Sequence, residues 1–282
     1  MSTAPSAPVA PTELPPGFGA DRASFPRTVT HFGGTTELTA PVERFAAIST
    51  GQFDSAVSVG LVPVASTHNA DGELVPAYLP DPARFADVVD LGLRTAPDLQ
   101  RVERARPDLV SATWRGRGRL LLPSLRSIAP TVLTEGKGFH WKQDHLLLGA
   151  ALGRDAQARE VLARYRDRVL GLRDRVAPAT VVSVLRRRPD GLEAHGHWSF
   201  CGSVLTDLGL RRPAAQDTPT NGFPVDALEP HLAADVVLCS RVPASPGVPP
   251  GTVEVGGSAW HGHAGPLAAL TVLDDLERVL LG

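Results

Sequence analysis

The chain has 282 residues, 43% of them hydrophobic and 21% charged, the balance of an ordinary globular protein long enough for one large domain or two smaller ones. A formal net charge of −2 offers no basic excess for a nucleic-acid or membrane-surface partner, and no stretch approaches the ~20 apolar residues of a membrane span. Cys201 and Cys239 match no CxxC metal or redox pattern and sit in apolar surroundings, so they read as buried free thiols, with a disulfide open to them only in an exported protein.

Residues 1–27 combine proline, alanine and small polar residues with no basic start, no apolar run, no cysteine for lipid attachment and no twin-arginine pair. They are expected to form a disordered tail, and the chain as written is expected to be cytoplasmic, or extracytoplasmic where a leader has been removed.

From Thr28 the pattern becomes strand, turn, helix. Short apolar runs at 44–49, 63–66, 109–113 and 131–133 predict buried parallel strands, and helices are predicted at 52–60 and 99–105, the latter stopped by the Pro107 region. In the stretch 155–176, Val161, Leu162, Tyr165, Val169, Leu172 and Val176 follow one another at helical spacing, which predicts one helix of about 33 Å, the width of a domain. The alternation then restarts, with strands predicted at 180–185 and 235–240 and helices at 203–208 and 266–281. This organisation predicts an α/β protein of two Rossmann-like lobes joined by one long α-helix, with a ligand cleft between them. The lobes are expected at 28–154 and 178–282, with the linking helix at 155–177.

The order of motifs resembles a known family. Residues 89–110, VDLGLRTAPDLQRVERARPDLV, are similar to the segment G-x-x-x-x-P-N-L-E-x-I-x-x-L-x-P-D-L-I of siderophore and cobalamin binding proteins. LPSLRSIAPTV (122–132), WKQDHLLLGAALGRDAQA (141–158), VLTDLGLRRPA (204–214), FPVDALEPHLAADVVL (223–238) and GPLAALTVLDDL (265–276) follow in family order, so the resemblance spans residues 28–282. HisPheGlyGly at 31–34 resembles the hairpin that precedes the family's first sheet strand.

The resemblance implies a class III periplasmic binding protein: a solute-binding protein of iron transport that holds a ferric siderophore between two rigidly linked lobes and hands it to an ABC transporter. GlyLeuArgThr at 92–95 resembles the ferric-hydroxamate branch, in which an arginine at the position of Arg94 reaches the iron-bound oxygens. The expected partners are therefore a small-molecule iron chelate and an ABC permease, with the protein a monomer and no cofactor. Family members dock on the permease through one acidic residue per lobe; these positions are Gln100, which has lost the charge, and Asp226, which keeps it.

Ligands of open α/β sheets gather beyond the carboxyl ends of the strands, which places Thr50 to Gln52, Trp114 to Arg117, Arg186 to Arg188 and the 195–199 loop near a cleft, the arginine run reading otherwise as a solvated turn. Trp114 beside Arg115 offers a flat apolar wall with a cationic donor, the alternative being a solvated basic loop. HisGlyHisTrp at 195–198 and TrpHisGlyHis at 260–263 echo each other, so His195, His197, Trp198, Trp260 and His261 join the ligand-binding candidates. Imidazoles are common metal ligands, which leaves His195, His197, His261 and His263 as metal-site candidates beside ligand hydrogen bonding or a structural role. No G-x-S-x-G, HExxH, P-loop or G-x-G-x-x-G motif points to catalysis. The alternative to uptake is a leaderless protein repurposed from this fold, an enzyme or a carrier of a metal, haem or biosynthetic intermediate.

Overall fold

The computed structural model describes residues 11–282. Strands β1 (Gly19–Ala20), β2 (Arg27–His31) and β3 (Gly34–Leu38) form a small antiparallel sheet in the order β1-β2-β3. The first ten residues of the expected disordered tail lie outside the described residues; from residue 11 onward that expectation is corrected. Leu14, Phe18 and Phe25 pack on the first core, Phe18 against Phe32 with ring centroids 4.8 Å apart. Arg27 is 3% exposed and donates to the Ala150 carbonyl at 2.9 Å and to Asp155 at 2.8 Å. The proline-rich composition hides three apolar anchors that burial holds in place.

The first lobe continues with β4 (Phe45–Ala47), α1 (Thr50–Ser58), β5 (Ala65–His68), β6 (Val89–Leu93), α2 (Leu99–Arg104), β7 (Leu109–Thr113), α3 (Arg119–Ile128) and β8 (Thr131–Thr134). Its five strands are all parallel in the order β6-β5-β4-β7-β8, a doubly wound arrangement in which successive strands are added first to one side of β4 and then to the other. Central strand β4 is buried at every position, as a sheet covered on both faces requires. Asp98 caps α2 by accepting from the Gln100 and Arg101 amides, which fixes where the helix begins.

Helix α4 (Trp141–Leu152) leads through Gly153, in left-handed conformation, into α5 (Asp155–Arg173). At 19 residues α5 is shorter than the spacing predicted and spans about 28 Å. Ala158 and Leu162 near its start pack in the first core, while Tyr165, Val169 and Leu172 pack in the second. One helix therefore serves both cores.

The second lobe is built from β9 (Val182–Arg188), β10 (Gly191–His195), α6 (Phe200–Asp207), β11 (Gly222–Pro224), α7 (Glu229–Leu232), β12 (Val236–Arg241), β13 (Val253–Val255) and α8 (Pro266–Leu281). Its sheet runs β11-β10-β9-β12-β13, with β9, β12 and β13 parallel and β10 antiparallel to both of its neighbours. The Arg186–Arg188 run is the end of β9. Glu193 pairs directly across from Arg186 and lies 3.6 Å from Arg188, which makes charged residues acceptable in this hairpin.

Two sets of contacts tie the lobes together. Asp54 of α1 is fully buried and caps α8 from the other lobe, accepting from the amides of Leu267 at 3.0 Å and Ala268 at 2.8 Å and from the Tyr78 hydroxyl at 2.6 Å. Gly51 allows the approach: a Cβ there would stand 2.7 Å from the Ala264 carbonyl oxygen. At the base, Lys142 of α4 and Tyr165 of α5 both donate to Asp207 of α6, at 2.5 and 2.7 Å.

Candidate functional site

A cleft of about 270 Å³ opens between the lobes. On the first-lobe side it is lined from the carboxyl end of every parallel strand: Thr50 and Gln52 after β4, Asn69 after β5, Arg94 after β6, Thr113 closing β7, and Thr134 closing β8 with Gly136, Lys137 and Gly138 after it. In a parallel sheet the loops at this edge converge, so residues distant in sequence meet. The second lobe contributes Arg186 from β9, Glu193 and His195 from β10, Phe200 at the start of α6, and Trp260, His261, Gly262 and Ala264 before α8.

The lining is polar and carries three cations. Arg94 is exposed at the end of the edge strand, Lys137 follows β8, and Arg186 is half-buried with its protonated form disfavoured by desolvation and favoured by Glu193. The loop carrying Lys137 is held from beneath by Asp144, which accepts from the amides of Glu135 at 2.7 Å and Gly136 at 2.8 Å; burial pushes its carboxyl up to about 7.

Of the residues singled out in the sequence, Thr50, Arg94, His195, Trp260 and His261 line this cleft. Thr50 is committed to holding the lobes: its hydroxyl donates to the Gly262 carbonyl at 2.8 Å, and Asn69 donates to the same oxygen at 2.6 Å. Trp260 is 0% exposed and donates its indole N–H to Asp275 at 2.9 Å, so its ring is core and only the residue's edge borders the cleft. Trp198 stands at the rim, 43% exposed, its ring 5.4 Å from the Lys137 ammonium.

The expected Trp114–Arg115 wall is not part of the lining. Trp114 packs on the third core cluster under the Arg119 guanidinium, and Arg115 donates to Glu135 at 2.9 Å. Glu135 also bonds His140, so this carboxylate draws Arg115 away from the cleft.

The four histidines part company. His197 pairs with Asp217 at 2.5 Å, and His263 is tied to the Ser258 carbonyl and packs edge-on against Tyr78. His195 and His261 meet with ring centroids 4.2 Å apart and their planes tilted by 32°. Burial, with Arg186 adding to it, pushes His195 down to about 3 and keeps both rings neutral at physiological pH. Cys201 joins this pair, and the ligand atoms of the three residues lie within 4.8 Å of one another. Sequence reasoning placed Gln52 at a strand end, where it lines the cleft, but missed Asn69, Lys137, Glu193 and Phe200. The rule that ligands gather at carboxyl strand ends could have found Asn69 and Lys137, whereas Glu193 and Phe200 depend on the antiparallel hairpin.

Residues 39–239 match the family described as "Periplasmic binding protein". The chain is 28% identical over 267 residues to the achromobactin-binding periplasmic protein of Dickeya dadantii, covering 84% of this chain and 86% of that one. It is likewise 28% identical over 193 residues to "Probable siderophore-binding lipoprotein YfiY" of Bacillus subtilis, covering 67% of this chain but only 58% of that relative's length. Among solved structures, Staphylococcus aureus SirA complexed with staphyloferrin B superposes with a TM-score of 0.73 at 22% identity, covering 90% of this chain and 98% of SirA, a likeness of fold.

Proposed function

We propose that this chain, which belongs to the periplasmic binding protein family, reversibly captures a ferric siderophore in the cleft between its lobes for iron uptake. The observation that carries the reading is the convergence of Arg94, Lys137 and Arg186 from three strand ends on one polar cleft. One relative is named as a probable siderophore-binding lipoprotein and another for binding achromobactin, and the SirA structure holds staphyloferrin B, which supports a ferric chelate as the cargo.

The three cations refine the chelate class. Arg94 by itself suggested a hydroxamate, whose ferric complexes carry little or no negative charge. Three cationic groups facing two acidic residues, Glu193 and the buried Asp144 whose carboxyl desolvation pushes up to about 7, favour an anionic chelate bearing carboxylate or catecholate oxygens, each oxygen accepting a charge-assisted hydrogen bond. Trp198 at the rim, beside Lys137, is placed to cover the organic part of the ligand. Asp54 and the shared helix α5 keep the lobes in one relation, so binding proceeds with small lobe movement. Asp226 is exposed between β11 and α7 and serves as the docking carboxylate toward a permease, while Gln100 leaves its counterpart on the first lobe uncharged.

Intrinsic tryptophan fluorescence titrated with ferric citrate-type, catecholate and hydroxamate chelates tests this. An anionic chelate is expected to quench, with Lys137→Met and Arg186→Met each weakening it about tenfold, as loss of one charge-assisted contact requires. Absence of quenching by all three classes would sink the siderophore reading. Tightest binding of the hydroxamate, indifferent to both substitutions, would overturn the anionic class alone.

A further inference from the structure

The floor of the cleft holds a cluster that chelate recognition does not explain. His195 ends β10, Cys201 is the second residue of α6, and His261 lies in the wide turn Ser258–Gly262 before α8. His195 is 7% exposed, and neither of its ring nitrogens has a hydrogen-bonding partner among the described residues; Nε2 of His261 is likewise unpartnered among them. Buried polar atoms left in this state cost about 1–3 kcal/mol each, so three of them in one place ask for a ligand.

We infer that His195, Cys201 and His261 form a binding site for a divalent metal ion of the zinc class. Two imidazoles and a thiolate are the donor set of borderline-soft ions, and hard ions such as magnesium or calcium would be refused. Tetrahedral coordination with metal–nitrogen bonds of about 2.0–2.1 Å and a metal–sulfur bond of about 2.3 Å sets donor separations of about 3.4–3.6 Å. The present separations are at most 4.8 Å, about 1.2 Å beyond that range, a gap that side-chain rotation must close on binding.

The supports of the three residues are rigid. Ser199 caps α6, accepting from the Gly202 amide at 2.9 Å, and its hydroxyl stands 3.4 Å from the Cys201 sulfur. The turn carrying His261 is pinned by the Trp260–Asp275 bond. On binding, the Cys201 S–H gives its proton to solvent and a sulfur–metal bond forms, a step that costs more than usual here because burial pushes the thiol up to about 11. Arg186 is the opposing charge nearby, and Glu193 and Asp71 offset it. His195 and His261 also line the cleft, so the fourth coordination position faces the ligand space. This site is independent of the siderophore reading, since Lys137 and Arg94 take no part in it.

The test is a titration of chelator-stripped full-length protein with Co²⁺, followed by displacement with Zn²⁺. One equivalent per chain is expected, with a thiolate-to-cobalt charge-transfer band in the near ultraviolet. Cys201→Ser removes that band while Cys239→Ser, at the other buried thiol, retains it. His261→Gln weakens Zn²⁺ by more than the about 100-fold that losing a ligand's outer hydrogen-bond partner costs. Wild-type protein that fails to take up either ion saturably, or a band that survives Cys201→Ser, would overturn the proposal. X-ray absorption of the zinc-loaded wild type does not depend on the variants folding: one sulfur at about 2.3 Å supports the site, and a shell of nitrogen and oxygen alone refutes it.

Discussion

Replacing Asp54 by alanine probes the seam between the lobes. The substitution deprives the amides of Leu267 and Ala268 and the Tyr78 hydroxyl of their common acceptor inside a fully buried site. Three buried donors left unmatched cost about 1–3 kcal/mol each, about 6 kcal/mol in the middle of that range. Against this, the wild type pays to bury a carboxylate: desolvation lifts Asp54 from 3.8 to about 6, worth about 3 kcal/mol at pH 7 at about 1.4 kcal/mol per tenfold. The net expectation is a loss of about 3 kcal/mol at pH 7, read as a lower urea midpoint at unchanged slope. The sign of the pH dependence follows from linkage. Because the folded state holds this proton more tightly than the unfolded chain, Asp54 contributes most below 3.8, and its contribution falls as pH rises toward about 6. The gap between wild type and Asp54→Ala should therefore widen by about 1.4 kcal/mol on going from pH 7 to pH 5. A loss below about 1 kcal/mol, or a gap that narrows on acidification, refutes the idea that this buried carboxyl caps α8 across the seam.

Two further substitutions examine how the lobes are joined. Asp207→Ala strands the Lys142 ammonium, 3% exposed, and should destabilise by about 3–5 kcal/mol in chemical denaturation, with Tyr165 losing its acceptor as well. Gly51→Ala sets a methyl group against the Ala264 carbonyl, a backbone atom that cannot rotate aside; a cost of about 1–3 kcal/mol is expected, together with weaker chelate binding as the cleft walls part.

Parts of this molecule were legible before any coordinates. The β7 run Leu109–Thr113, the last helix Pro266–Leu281 and the bulk of α5 follow from apolar periodicity, because burial on one or both faces leaves its period in the sequence. The hairpin of β9 and β10 was not legible. Its outer residues, Arg186 to Arg188, look like a solvated turn until Glu193 is placed opposite them, and that pairing belongs to the register of two strands. The segment 11–27 misled for the opposite reason: its composition is that of a loose tail, yet burial of Leu14, Phe18 and Phe25 fixes it.

The site divides along the same line. By itself the sequence determined the two-lobed α/β fold, the family and the strand ends at which a ligand would gather, since these rest on local pattern and motif order. Tertiary structure alone decided which side chains reach the cleft. Glu135 withdraws Arg115, Asp217 takes His197, and Ser258 holds His263, while Lys137 and Arg186 arrive from strands that sequence distance keeps far apart. Each of these outcomes depends on whether a partner of suitable charge or hydrogen-bonding capacity lies within a few ångströms, a property of packing in three dimensions that spacing along the chain does not encode.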